Sequence, residues 1–387
     1  MNETERATKQ LCHTHRPPGA RFFMTSGRAL AVFWLLTVSI FAALFFRLVP
    51  SNFVEHVYAP TVLAAQRAVL GGIASLVPFS LAEVLVAAFG LLGLFAASEL
   101  VWRLVRRADR SRRGRWRACK TFAWVSLAAA WLYLSGHGIA LARPPLADRL
   151  ALPLVAQDAR ATRLSELGLE VARTAREERI EWTRSSSNGD GTDVPASERH
   201  AIQQEARTAL LAILGTVAPD CILPPGGIKA CYPPRLLMRF GVSGVFSPFT
   251  FEAHADPGLH RLEMPFVAVH ELAHVAGFAG EDEANFIAWL ACSRTPNPLF
   301  RYSAALAAMR FLPQSSALRA EAGSEVAADR VAIANHWQQK RWKVTSKVQR
   351  IVWDAALKSQ GVRSGIASYG EMVELMLRWR LAGRTTR

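Results

Sequence analysis

Val267-Ala268-Val269-His270-Glu271-Leu272-Ala273-His274-Val275-Ala276-Gly277 is the stretch on which the reading of this chain turns. Apolar residues surround two histidines, and Glu271 is the only charge in the run. Residues four apart on an α-helix share a face, about one turn from each other. His270 and His274 can therefore bring both imidazoles to one cation. Glu271 follows the first of them and points beside that cation, where a water would bind. Apolar neighbours hold such ligands in place and keep bulk water out. The other reading is an amphipathic helix with two incidental histidines, but only 10 of the 387 residues are His.

The pattern H-E-x-x-H on a helix is the signature of zinc peptidases. Zinc lowers the pKa of its water, and the glutamate takes the proton. A catalytic zinc generally has three protein ligands. Gly277 and Gly280 end helices readily, because glycine adopts positive φ without penalty. The chain can turn there and start a new helix at Glu281, where the macrodipole favours acids. Glu281 is the expected third ligand. Glu283, two residues on and turned roughly 200° around the helix, is the alternative. Asn285 shares the face of Glu281 and can hydrogen-bond a ligand.

His270 to His274 followed by Glu281-x-x-x-Asn285 resembles the HExxH…ExxxD arrangement of membrane-associated gluzincin peptidases, with Asn285 where that pattern has Asp. A closer resemblance is to an uncharacterised bacterial membrane family, domain of unknown function 3810. It is carried by Ser247–Glu252, Met264-Pro265-Phe266, the HELAH run with Gly277-Phe278, and Glu281–Phe286. Phe300–Ser303 and Tyr369–Leu377 are also similar. The resemblance implies a membrane zinc metallopeptidase and names no substrate.

Hydrophobic residues make up 51% of a chain with 46 Lys and Arg, so the apolar residues must be segregated. Three spans are expected: 28–48, 78–103 and 121–142. Residues 1–142 hold 16 Lys and Arg against 6 Asp and Glu, and account for 10 of the 15 excess positive charges. Most of these lie in a basic loop at 104–120 and a tail at 1–27. The positive-inside rule puts both in the cytoplasm. Residues 49–77 then form an external, interfacial segment. Residues 143–387 form an extracytoplasmic domain attached to the plasma (inner) membrane. The expected fold is mainly α with a small β element: three N-terminal transmembrane helices, then a zincin-like metallopeptidase domain. Partners are the lipid bilayer and a peptide or protein substrate. No motif supports nucleic acid.

In the outer domain, helices are expected near 164–182, 198–217, 283–293, 298–311, 317–340, 344–359 and 367–382. Strands are expected within Gly241–His254 and at Leu262–Phe266. Phe249–His254 is the candidate edge for an extended substrate. Tyr302 and Glu252 join Asn285 as candidates for supporting a ligand or touching substrate. Tyr302 or Arg301 can stabilise an oxyanion; packing is the other reading of Tyr302. His254 and His260 read as exposed loop residues, and His137 as an interfacial residue near the end of a span. Cys221 and Cys231 flank Pro224-Pro225-Gly226-Gly227 and are either disulfide-bonded or two separate thiols. Two competing functions stand beside the hydrolase. One is a non-catalytic zinc-containing membrane sensor or envelope assembly factor. The other is intramembrane proteolysis, which the charges of Glu263 and Glu281–Glu283 oppose by bracketing the motif too closely for a span.

Overall fold

A computed structural model describes residues 48–105, 117–185, 194–219, 221–342 and 371–384. The expected span at 28–48, the tail at 1–27, most of the basic loop and the helix at 344–359 lie outside the described residues. The chain divides into two compact units, Met1–Val49 and Pro50–Arg387. Every element below belongs to the second, which is mainly helical with one small sheet.

A helical rod opens this unit. It runs through Ser51–Phe53, a π-helical stretch Val54–Leu63, and α1 (Ala64–Ser75). One face is buried on the domain through Val54, Leu63, Arg67 and Ala74. The other shows Val57, Val69, Ile73 and Leu76 to the outside. The segment expected at the interface is thus also a packed part of the domain.

Next come α2 (Leu81–Val105) and α3 (Arg117–Tyr133), packed as a pair with Phe89 stacked on Phe122 at 4.9 Å. Leu81–Trp102 is the one described helix long and apolar enough to cross a membrane. Val86, Leu91, Leu94 and Phe95 on it are each more than 60% exposed. The third expected span ends early as an α-helix. At Leu134–Gly138 it becomes π-helical, and Ile139 and Ala140 are buried in the domain.

The start of α2 is bolted to the sheet. The first N–H groups of any helix lack partners within the helix. Here the Glu252 carboxylate accepts from Leu81 N at 3.1 Å and Ala82 N at 2.7 Å. Ser80 Oγ accepts from Glu83 N at 3.0 Å, and the Ser80 carbonyl accepts from Val84 N at 3.3 Å. Ser80 Oγ also meets His254 Nε2 at 2.7 Å, while His254 Nδ1 lies 3.2 Å from the Val245 carbonyl. Nδ1–H therefore donates to the carbonyl, and Nε2 accepts from the Ser80 hydroxyl. Lys229 Nζ donates to Glu252 Oε1 at 2.6 Å and to the carbonyls of Ala74 and Phe79, each at 2.7 Å.

The remaining long helices are α4 (Gln157–Ser185), α5 (Ala196–Val217), α6 (Met264–Ala276), α7 (Glu281–Ser293), α8 (Pro298–Phe311), α9 (Ser316–Lys340) and α10 (Glu371–Leu381). The sheet has three strands, β1 (Ile228–Ala230), β2 (Gly244–Ser247) and β3 (Glu252–Ala255), in the order β1-β3-β2. β1 runs parallel to β3 and β2 antiparallel, with Val245 opposite His254. β3 is central and wholly buried, so Phe249–His254 is not the open edge. That edge is β2. The strand expected at Leu262–Phe266 is instead the entrance to α6. Pro265 sits in its first turn, where a missing N–H costs nothing and the fixed φ suits a helix.

α6 carries the HELAH run through the middle of the core. Eleven of its 13 residues are buried, between α5, α7, α8 and the sheet. Cys221, Cys231 and Cys292 are free thiols, which removes the disulfide alternative. Burial pushes the Cys231 thiol up to about 12.

Candidate functional site

α6 stops at Gly277, whose φ of 100° and ψ of 16° are the left-handed values glycine tolerates. Gly277 N donates to the His274 carbonyl at 3.0 Å and Phe278 N to the Ala273 carbonyl at 3.1 Å. This pair of bonds is a Schellman motif. It also turns the Phe278 carbonyl back toward the ligand helix, where it lies 2.8 Å from His274 Nδ1. Nδ1–H donates to it, which fixes the tautomer and leaves the Nε2 lone pair facing inward. Gly280 caps the next helix, and Glu281 opens α7 as the sequence suggests.

His270, His274 and Glu281 converge on one point. His270 Nε2 and His274 Nε2 are 3.2 Å apart. His270 Nε2 is 3.4 Å from Glu281 Oε2, and His274 Nε2 is 3.7 Å from Glu281 Oε1. Three donors each about 2.0–2.1 Å from a tetrahedral ion would stand about 3.4 Å from one another. The side chains therefore have the spacing and the chemistry to hold one divalent ion. They are the one His/Cys/Asp/Glu cluster of this kind among the described residues.

Burial and mutual charge set the protonation of these groups. Burial raises the Glu271 carboxyl to about 8, with His270 opposing and Glu281 adding. Burial lowers His274 to about 4 against the pull of Glu281. Burial also works against charge on His270, but the hydrogen bond and charge of Glu281 override it and raise its pKa. Burial would lift Glu281, yet the hydrogen bond from His270 and the charges of His274, His270 and His137 hold it at about 2. A neutral imidazole beside an ionised carboxylate is a donor set suited to a cation.

Asn285 lies one turn beyond Glu281 and is buried. His270 Nδ1 and Asn285 Nδ2 are both buried without hydrogen-bond partners among the described residues. Turning the amide over brings Oδ1 to the His270 Nδ1–H and satisfies the ring.

Glu271 is 4% exposed and lies against β2. A Cβ on Gly244 would stand 2.5 Å from Glu271 Oε1, so only glycine leaves room for this carboxylate. Asp256 N donates to the Ser243 carbonyl. By antiparallel alternation, Gly244 and Phe246 then turn their backbone groups away from β3, toward the open edge. Phe246 stacks on His274 at 6.1 Å.

Other candidates are elsewhere. Glu283 accepts from Leu146 N and Arg149 Nη2, each at 2.7 Å, so it caps the turn Leu146–Arg149 and is not a ligand. Tyr302 is fully buried, stacks on Trp182 and donates to Asp329 Oδ2 at 2.6 Å. Arg301 pairs with Glu178 at 2.7 Å. Neither supports an oxyanion at this site. Glu252 caps α2, as above, and is not a substrate contact. His254 and His260 are buried, not exposed.

His137 was not apparent as a site residue. Its ring lies 6.5 Å from that of His274 and 5.8 Å from that of Phe246. Its signal in the sequence is Leu134-Ser135-Gly136-His137-Gly138, where small residues and a histidine interrupt an apolar run.

No curated protein and no solved structure matches this chain. One family model does, over residues 58–377, which takes in the rod, the helix pair, the sheet and the His–His–Glu cluster. The chain belongs to that family, described as a protein of unknown function (DUF3810).

Proposed function

We propose that this chain is a membrane-anchored zinc metallopeptidase. The observation that carries the reading is the convergence of His270 Nε2, His274 Nε2 and the Glu281 carboxylate, with Glu271 beside them under a sheet edge. His270, His274 and Glu281 would hold the ion, with the Phe278 carbonyl and Asn285 fixing the two rings. Zinc, when bound there, supplies a Lewis acid for the scissile carbonyl and lowers the pKa of a water. Glu271 takes a proton from the attacking water and returns it to the leaving amine. The open edge of β2 offers backbone pairing to an extended peptide with little demand on its sequence.

The apolar exposed surface of α2, and of Trp124 and Val125 on α3, supports insertion of this pair in a bilayer. The Arg-rich connection between them then marks the cytoplasmic side of the plasma membrane and leaves the domain outside. With 28–48 as a further span, the protein is multi-pass.

The test uses the purified full chain in detergent with fluorogenic casein as probe. Hydrolysis is expected, is lost with a zinc chelator and returns on adding zinc. Hydrolysis indifferent to chelation would reject the metal reading.

A further inference from the structure

We propose that His137, delivered from the end of a membrane helix, is a catalytic residue that donates a hydrogen bond to the carbonyl oxygen of the bond being hydrolysed. The proposal rests on the hydrolase reading above and deepens it.

Four observations carry it. First, position: the imidazole stands edge-on to the His274 ring at 6.5 Å and beside Phe246 at 5.8 Å. Second, availability: its ring nitrogens make no hydrogen bond to any other described residue, and it is only partly buried. A histidine kept for structure beside a buried site would be satisfied, as His254, His274 and His336 are. Third, delivery: Leu134–Gly138 is π-helical, and such turns in α-helices cluster at functional sites because they redirect a side chain. The turn is pinned from the rod. Tyr58 Oη donates to the Ser135 carbonyl at 3.0 Å, and Gln66 Nε2 donates to Ser135 Oγ at 3.2 Å. Fourth, surroundings: the ring of Tyr133, 5.7 Å away, carries a buried hydroxyl with no partner among the described residues. A second polar group without a partner thus belongs to a residue packed beside His137.

Geometry separates a donor from a fourth ligand. The rings of His270 and His274 have centres 4.7 Å apart, whereas those of His137 and His274 are 6.5 Å apart. Two imidazoles on one tetrahedral zinc have ring centres about 5 Å apart, given metal–nitrogen lengths of about 2.0–2.1 Å. His137 is therefore set back from the distance a ligand to the same ion would keep.

The water oxygen bonds to the carbonyl carbon while its proton moves to Glu271. The carbonyl π pair becomes a lone pair on oxygen, and the new negative charge accepts the hydrogen bond from His137. On collapse that pair re-forms the carbonyl and the C–N bond breaks. Its electrons go to nitrogen, which takes the proton from Glu271. A donor aimed at charge that develops only in the transition state acts mainly on kcat.

The experiment compares full-length wild type, His137→Ala and His137→Gln, each loaded with zinc in detergent. Zinc content, casein hydrolysis and affinity for a phosphinic pseudopeptide, a mimic of the tetrahedral intermediate, are read for each. The expected result for His137→Ala is unchanged zinc content and a kcat lower by about 10²–10³, with KM changed little. Phosphinate affinity should fall with kcat. His137→Gln, which keeps an N–H donor, should recover part of both. Loss of zinc from His137→Ala would make it a ligand and overturn the proposal. Unchanged kcat and phosphinate affinity would reduce His137 to packing. In both cases wild-type zinc and hydrolysis leave the hydrolase reading standing. A wild-type chain without zinc overturns both.

Discussion

Replacing Glu271 by Gln is expected to lower peptide hydrolysis by about 10²–10⁴ while zinc stays bound. Glutamine keeps the volume of the side chain in a space that Gly244 limits closely. It cannot take a proton from water. None of the three donors at the cluster comes from residue 271, so metal content should not change. The check is kcat beside zinc per chain for the two proteins. Equal turnover would move Glu271 out of the chemistry and favour a protein that keeps its ion for structure.

Glu252→Gln is expected to destabilise the whole domain without touching the metal. The Glu252 side chain is 2% exposed and meets Lys229 at 2.6 Å. It also accepts from the two leading amides of α2. Removing one partner of a buried ion pair costs about 3–5 kcal/mol, because the other charge is left uncompensated. For a domain of this size that is a fall in Tm of roughly 6–20 °C. Changing both Glu252 and Lys229 to Met should recover part of this, since the stranded charge disappears but the uncapped amides remain. The pH dependence has a definite sign. Burial would raise Glu252, but Lys229, Thr250 and the amides of Ala82 and Leu81 lower its folded pKa. Its contribution is therefore present above the unfolded value, about 4.3, and is lost as pH falls through the lower folded value. The Gln variant should lack that acid-side loss. Thermal unfolding of both proteins as pH is lowered measures it. A Tm within about 1 °C of wild type at neutral pH would mean that the helix start is held by other contacts.

The heart of the site was legible because it is local. His270 and His274 need only helical periodicity, and Gly277 announces the turn that brings Glu281 back. Which of Glu281 and Glu283 faces inward needed the partner of the loser, Arg149, which lies 134 residues earlier in the chain. Tyr302 and Glu252 were misplaced for a related reason. Closeness in sequence to the helices that carry His270, His274 and Glu281 says nothing of which face a helix or strand turns to the centre. β1 is three residues long and follows a Pro- and Gly-rich stretch, too short for alternation to show. Leu262–Phe266 has the composition of a strand, yet Pro265 suits the first turn of a helix better. The sequence marked His137 only as a break in an apolar run, because its place depends on a π-helical turn beside a site more than 130 residues away. Leu81–Trp102 was clear from hydropathy as an apolar helix, but not the use made of the ends of the helix pair. One end is capped by β3, and the other supplies a ring to the site.

The most direct measurement is an anomalous difference map at the zinc edge from crystals of the full chain. One peak per chain is expected, about 2.0–2.1 Å from His270 Nε2, His274 Nε2 and a Glu281 oxygen. No peak there from zinc-supplied crystals, or a peak held by Glu283 in place of Glu281, would contradict the metal centre from which the proposed chemistry follows.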